Sequence, residues 1–393
     1  MDPIRNPYAP GAGTPPPELS GRDELRERVH IAIERIRLGR ASKSVLIIGL
    51  RGVGKTVLLD HMRLRAERDG HYSVRIEAPE ERSLPGILAP QLRQALIKLS
   101  RFEKAKDLSH RALRALAGFA KLKVKYNDLE VGLDFEPEPG LADNGDLESD
   151  LQDLLVAVGE AARAADSTFI LFIDELQYVP EDQLAHLISA LHKTAQLSLP
   201  VTLVGAGLPQ LTGQMGKAKS YAERLFDFPF VGALTPEQAR DALAIPAAAE
   251  GVDFEPAAID YIVSETQGYP YFLQEWGKHA WDIATNSPIT LADCREATIS
   301  AVAALDASFF RVRFDRLTPL EKRYLRAMAQ LGPGPHRSGD IAETLGRTSQ
   351  SLAPTRAKLI EKGMVWSPSH GDTAFTVPLF EQFMQRIMPD LEC

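Results

Sequence analysis

The run Ser44-Val45-Leu46-Ile47-Ile48 passes directly into Gly49-Leu50-Arg51-Gly52-Val53-Gly54-Lys55-Thr56, and a helical pattern follows from Val57 to Arg68. An apolar run of strand length, a turn of the form G-x-x-x-x-G-K-T and a helix start together give that spacing its chemical meaning. The glycines let the chain bend tightly and bring successive backbone N–H groups toward a phosphate. The helix N-terminus adds partial positive charge at the same place. Gly49, Gly52, Val53, Gly54, Lys55, Thr56 and Val57 are therefore expected to hold a nucleotide. Lys55 would reach the β- and γ-phosphates and the Thr56 hydroxyl would ligate Mg²⁺, so ATP with Mg²⁺ is the expected pair.

A second chemical landmark lies at Phe169-Ile170-Leu171-Phe172-Ile173-Asp174-Glu175, a continuous apolar strand ending in two carboxylates. Asp174 is expected to hold Mg²⁺ through its water shell. Glu175 is placed to polarise the attacking water as general base. Alone, this stretch reads equally as a buried strand ending in a polar turn; its pairing with Gly49–Thr56 favours the chemical reading. Tyr72–Ile76 and Val201–Gly205 read as further strands by β-branching. Helical periodicity covers Arg22–Leu38, Gly86–Ser100, Arg101–Lys121, Gly145–Ala165 and Gln183–Leu197. A fifth strand is expected beyond Tyr221–Phe228. There Arg224 stands either as an arginine finger toward a neighbouring subunit's γ-phosphate or as a surface arginine paired with Glu223 or Asp227.

A chain of 393 residues is too long for one ordinary core. No apolar run approaches the ~20 residues that span a membrane, and Met1–Pro17 lacks a basic-then-apolar signal pattern. Two cysteines, Cys294 and Cys393, exclude a disulfide framework. A cytoplasmic location is expected. The net charge of −8 argues against attraction of the whole protein to a polyanion. The average conceals a contrast: Arg101–Tyr126 holds eight Lys/Arg against two Asp/Glu, and Asn127–Asp153 holds ten Asp/Glu and no Lys/Arg. The basic helix either meets nucleic acid or pairs with the acidic stretch beyond it.

These patterns divide the chain into a Pro/Gly-rich flexible arm over 1–20, an α/β core over 21–232 with an irregular acidic insertion near 127–145, a helical lid over 233–306 and a terminal domain over 307–393. In the lid, Gly268-Tyr269-Pro270-Tyr271-Phe272-Leu273 opens an aromatic helix that either simply packs or abuts the nucleotide. The terminal segment has the order helix, helix, turn, helix and two short strands of a winged helix-turn-helix. Arg347, Arg356, Lys358 and Lys362 give its presumptive recognition helix a local positive excess against Glu361 alone.

From about Lys43 to Pro378 the chain resembles the AAA+/STAND class of ATPases, in particular bacterial and archaeal ATPases related to the Orc1/Cdc6 initiators. The resemblance rests on GLRGVGKT, FILFIDELQ, VTLVGAG, SYAERLF, GYPYF and the terminal winged helix. It implies a P-loop fold of the additional-strand class: a five-stranded parallel sheet, a helical lid and a DNA-contacting terminal domain. It also implies ATP-driven switching or oligomerisation, with Pro270 of a Gly-x-Pro motif beside the nucleotide. Two departures stand out. The strand Val201–Gly205 ends in Gly205-Ala206-Gly207 with no sensor asparagine, leaving Thr202 and Gln210 nearby, and the lid lacks a sensor arginine. They tilt the expectation toward a slow, regulated switch rather than a processive motor.

The leading expectation is an ATPase acting as an ATP-dependent switch that binds double-stranded DNA through Arg347, Arg356, Lys358 and Lys362. The competing one is an ATP-governed self-assembly or protein-interaction module whose winged helix binds protein. A motor is a third option, disfavoured because no aromatic and basic repeat for strand contact is present. Either leading reading allows a homo-oligomer or a partner protein, and no membrane.

Overall fold

A computed structural model describes residues 1–11, 13, 16, 18–78, 83–123 and 136–391. Much of the acidic insertion lies outside the described residues. The chain forms two compact units. One comprises 22–48 and 55–230; the other comprises 1–21, 49–54 and 231–393.

The first unit is built on strands β1 (Ser44–Ile48), β2 (Tyr72–Glu77), β3 (Phe169–Asp174), β4 (Val201–Gly207) and β5 (Phe226–Asp227). They form one sheet in the order β2-β3-β4-β1-β5, and every pairing is parallel. Parallel strands need crossovers, which α1 (Asp23–Arg37), α2 (Lys55–Arg68), α3 (Leu84–Leu99), α4 (Lys106–Lys123), α5 (Leu147–Ala164), α6 (Glu181–Gln196), α7 (Gln210–Ala218) and the short α8 (Ala222–Leu225) provide or flank. Sheets covered on both faces select continuous apolar strands. Accordingly every residue of β3 and β4 is buried, and each such apolar side chain contributes about 1.5–3 kcal/mol. β4 runs between β1 and β3, so the C-terminal ends of β1 and β3 stand roughly 10 Å apart, at two strand spacings.

The fifth strand lies within Tyr221–Phe228 rather than beyond it: Phe226 and Asp227 pair with β1, and Ile48 N–H then reaches Pro229 O at 2.9 Å. Two residues of the basic helix pair with the acidic stretch: Arg114 bonds Glu138 at 3.0 Å, and Arg111 lies 3.8 Å from the same carboxylate.

The second unit gathers α9 (Pro236–Ala249), α10 (Pro256–Thr266), α11 (Pro270–Ile283), α12 (Leu291–Leu305), α13 (Arg311–Asp315), α14 (Pro319–Gln330), α15 (Ser338–Thr344), α16 (Ser349–Glu361) and α17 (Phe380–Ile387). Thr235, Thr290 and Thr318 open α9, α12 and α14 with capping boxes, each satisfying two otherwise orphaned donors. A π-turn at Asp306–Phe310 carries α12 into α13, so the expected boundary at 306 falls inside continuous helical structure. One apolar core runs from Leu243 and Trp276 through Phe310 to Phe380 and Phe383. The strands β6 (His336–Arg337), β7 (Val365–Trp366) and β8 (Asp372–Phe375) form an antiparallel sheet in the order β6-β8-β7 beside α14, α15 and α16. That is the expected winged helix-turn-helix outline with one more strand. α16 starts at Ser349, where Thr348 caps it, and carries Pro354 inside the helix.

The start of the expected flexible arm is docked. Tyr8 is 3% exposed and donates its hydroxyl to Leu243 O. Asn6 bonds Lys278 O at 3.1 Å and Asp282 at 2.8 Å, and Trp281 Nε1 donates to Asp2 O at 2.9 Å. Proline and glycine set the local extension; the aromatic anchor sets the position. Tyr8→Ala should cost about 3 kcal/mol as a deleted buried aromatic. Urea denaturation of the full chain checks this, and an unchanged midpoint contradicts the docking.

Candidate functional site

Three elements of the first unit converge on the expected chemistry. Lys55 begins α2 and is 7% exposed, an unusual burial for a lysine. Asp174 ends β3 at 2% exposure and hydrogen-bonds the Thr56 hydroxyl. Burial pushes the Asp174 carboxyl above its ordinary range, aided by the neighbouring Glu175 charge; the Thr56 bond, the Glu175 N–H and the Lys55 ammonium oppose this without cancelling it. The Glu175 N–H donates to Asp174 Oδ1 at 2.9 Å. Glu175 itself takes a left-handed backbone conformation, φ 52° and ψ 37°, and opens the 3₁₀ turn Leu176–Tyr178. A non-glycine residue held there marks a position that its surroundings over-determine.

A buried carboxylate hydrogen-bonded to a hydroxyl is a hard-oxygen donor pair of the kind Mg²⁺ takes, with waters and phosphate oxygens completing the shell. Among the described residues no group of three or more His, Cys, Asp or Glu could hold a metal unaided. Thr56 and Asp174 fit as the protein's donors to such an ion.

The turn itself, Gly49–Gly54, groups with the second unit. A Cβ at Gly49 would lie 2.3 Å from Val231 O, and Gly52 and Gly54 have φ of 78° and 87°, so glycine is required by contact at the first and by backbone conformation at the other two. Val53 is 2% exposed. Arg51 N–H donates to Thr376 O at 3.1 Å, beside the end of β8. Tyr271 N–H donates to Gly52 O, also at 3.1 Å. Pro270 stands at the start of α11, where its missing N–H costs nothing. The next N–H of that first turn, which has no intrahelical acceptor, is the one the turn receives. The Tyr271 ring stacks on Phe309 at 4.7 Å, and Arg313 lies 4.0 Å over Phe309.

The remaining expected residues lie elsewhere. Thr202 sits inside β4 with its hydroxyl 3.2 Å from Ser44 Oγ, paired with Ile170 rather than at the strand's end. Arg224 is exposed on α8, and Asp227, one of its two expected partners, pairs with Arg28 instead. Arg347 and Lys358 are exposed near the start and on the outer face of α16. Arg356 is turned inward: it donates to Thr373 Oγ1 at 2.7 Å, Ser367 Oγ at 2.9 Å and Asp372 O at 2.7 Å, pinning the wing to α16. Lys362 is bonded to Glu321 at 2.7 Å and to Arg316 O at 3.0 Å. Burial pushes the Glu321 carboxyl up, but the bonds from Lys362 and the Thr318 N–H outweigh it and hold the carboxyl below its usual range. The sequence reading assigned no role to Gln177, Tyr271 or Arg51. Gln177 had a signal, standing in the quoted FILFIDELQ; the two backbone contacts had none.

Because the folded Asp174 carboxyl ionises above its unfolded value, the fold loses stability as pH rises through the interval between them. Asp174→Asn should therefore raise the melting temperature of the nucleotide-free protein at neutral pH, with the gain vanishing in acid, and should abolish Mg²⁺-dependent nucleotide affinity. A lower melting temperature at neutral pH would contradict the burial argument.

Residues 18–204 match the model of the AAA ATPase domain, and residues 307–384 match that of a domain of unknown function, DUF8462. An uncharacterized HTH-type transcriptional regulator of Methanocaldococcus jannaschii is 24% identical over 343 residues, covering 84% of this chain and 79% of the relative. The Walker-type ATPase of Pyrococcus abyssi superposes with a TM-score of 0.59 at 18% identity, over 95% of this chain and 97% of that one. The Orc1 protein of Aeropyrum pernix, solved in complex with DNA, gives a TM-score of 0.48 at 16% identity, over 94% of each chain. Among the described residues no helix is long and apolar enough to cross a membrane. The segment 18–204, with its P-loop turn, its strand-end carboxylates and its parallel sheet, is similar to the AAA ATPase domains.

Proposed function

We propose that this protein binds ATP with Mg²⁺, hydrolyses it slowly, and uses nucleotide state to control engagement of double-stranded DNA by the terminal helix-turn-helix. The observation that carries the ATPase reading is the cluster of buried Lys55 and Asp174 with half-buried Thr56, and Glu175 beside it. Lys55 would orient the β- and γ-phosphates, and Glu175 would take the proton of the attacking water. Thr56 and Asp174 would hold Mg²⁺, which when bound neutralises charge on the phosphate oxygens.

The switch reading rests on the turn. Arg51 and Gly52 hydrogen-bond Thr376 and Tyr271, so a turn that rearranges around phosphate changes what the lid helix and the wing hold. The DNA reading is supported by the exposed Arg347 and Lys358 and by the likeness to a relative described as an HTH-type regulator. The absent sensor asparagine supports slow turnover. Arg224, exposed just before β5, leaves room for a finger that acts between copies of the chain.

One observation favours the second reading, an ATP-regulated assembly or protein-interaction module. Arg356 and Lys362 are engaged in bonds within the domain, so α16 offers DNA fewer uncommitted cations than its composition suggests. Arg347→Ala/Lys358→Ala should weaken duplex binding and reduce the slope of log affinity against log salt by roughly 2, at about 0.9 per phosphate contact. Arg356→Ala should instead loosen the wing and lower the melting temperature. Unchanged duplex affinity in the double variant would move the assignment to protein binding.

Steady-state ATP hydrolysis with and without duplex DNA tests the coupling. Turnover should rise with duplex, be lost in Lys55→Ala, and fall about 10²–10⁴-fold in Glu175→Gln. Turnover indifferent to DNA contradicts the switch, and turnover indifferent to both substitutions contradicts the site.

A further inference from the structure

Gln177 lies two residues beyond Glu175 on the 3₁₀ turn Leu176–Tyr178 and is 6% exposed. Both ends of its side-chain amide are in use. One end meets a Glu175 carboxylate oxygen, and the other meets the backbone N–H of Leu208 at 3.0 Å. The chemistry of the partners fixes which end is which. An N–H needs an acceptor, so Oε1 faces Leu208; a carboxylate only accepts, so the NH₂ donates to Glu175. Leu208 directly follows Gly207, the last residue of β4. The side chain therefore spans from the candidate general base to the end of the strand between β1 and β3.

The surroundings are shaped to this bridge. A Cβ at Gly207 would lie 2.9 Å from Gln177 Oε1 and 2.6 Å from Leu211 Cδ2, so any larger residue there displaces the amide. Gln214 Nε2 donates to the Gln177 carbonyl at 3.3 Å, holding the turn from its other side. Glu175, with its left-handed backbone and its N–H bonded to Asp174, thus has its main chain fixed by one neighbour and its carboxylate by another.

We propose that Gln177 is the positioning residue for Glu175: its amide aims the carboxylate and ties that aim to the C-terminal end of β4, where this chain has no polar sensor side chain. This rests on the hydrolytic reading above. A base misplaced by an ångström loses rate rather than affinity, so removal of the amide should act on kcat and leave nucleotide binding intact.

Gln177→Met keeps the side chain's length and removes both hydrogen-bonding ends. In the full-length protein kcat should fall about 10–100-fold, with KM and the dissociation constant of a fluorescent ATP analogue unchanged. Gly207→Ala, which reaches Gln177 from the opposite side, should reproduce that split. On a Glu175→Gln background Gln177→Met should add no further loss, because the residues act as one unit. Amide hydrogen exchange at Leu208 should quicken in Gln177→Met, independently of any turnover. Wild-type kcat in Gln177→Met, faster turnover in it, or full additivity with Glu175→Gln would each overturn the inference while leaving the ATPase reading standing. A wild-type chain that binds ATP and turns none over would overturn both.

Discussion

A backbone group in a tight turn makes few commitments, and the turn Gly49–Gly54 has several to reconcile. Its glycines are needed because Val231 O closes on Gly49 and because Gly52 and Gly54 bend left-handed. Arg51 N–H already donates to Thr376 O, and Gly52 O already accepts from Tyr271 N–H. The turn proposed to receive phosphate is therefore also hydrogen-bonded to the lid helix and the wing. A nucleotide that favours one geometry of this turn shifts the equilibrium of whatever holds it, to the extent of its differential affinity and no further. The proposed switch needs no long-range wire, only these two hydrogen bonds.

The candidate site's place in the first unit follows from sheet order. With β4 between β1 and β3, the phosphate-binding helix start and the strand-end carboxylates face each other across one strand. The end of that strand is where their geometry can be sensed. A glycine-rich end leaves the position without a polar side chain of its own, and the Gln177 amide reaches it from the β3 side. Asp174 illustrates the cost of such a place: it is buried beyond what its ordinary acidity tolerates.

Much of this was legible because parallel strands buried on both faces leave an unmistakable apolar signature. Val45–Ile48 and Phe169–Ile173 could hardly have been anything else, and the residues that follow them carry the proposed chemistry. The lid's start was legible through Thr235 and Pro236, since caps are local. What escaped was long-range. Tyr8 sits in a Pro/Gly-rich stretch whose composition signals extension, yet one aromatic side chain anchors it to helices more than 230 residues away. Arg356 and Lys362 counted as cations on a recognition helix, although their partners, Thr373, Asp372 and Glu321, lie on other elements that a charge tally does not consult. Gln177 was in view within its motif, but its meaning required knowing that Leu208 N–H lies beside it.

The central claim is that nucleotide state and DNA engagement are coupled through the turn. Duplex affinity of the full-length protein, measured at one fixed salt concentration without nucleotide, with ADP and with a non-hydrolysable ATP analogue, tests it most directly. The account predicts that the ATP-like state differs from the nucleotide-free state by about 5–150-fold, the usual span of allosteric coupling. Equal affinity in all three states, with nucleotide binding verified in each, would contradict it.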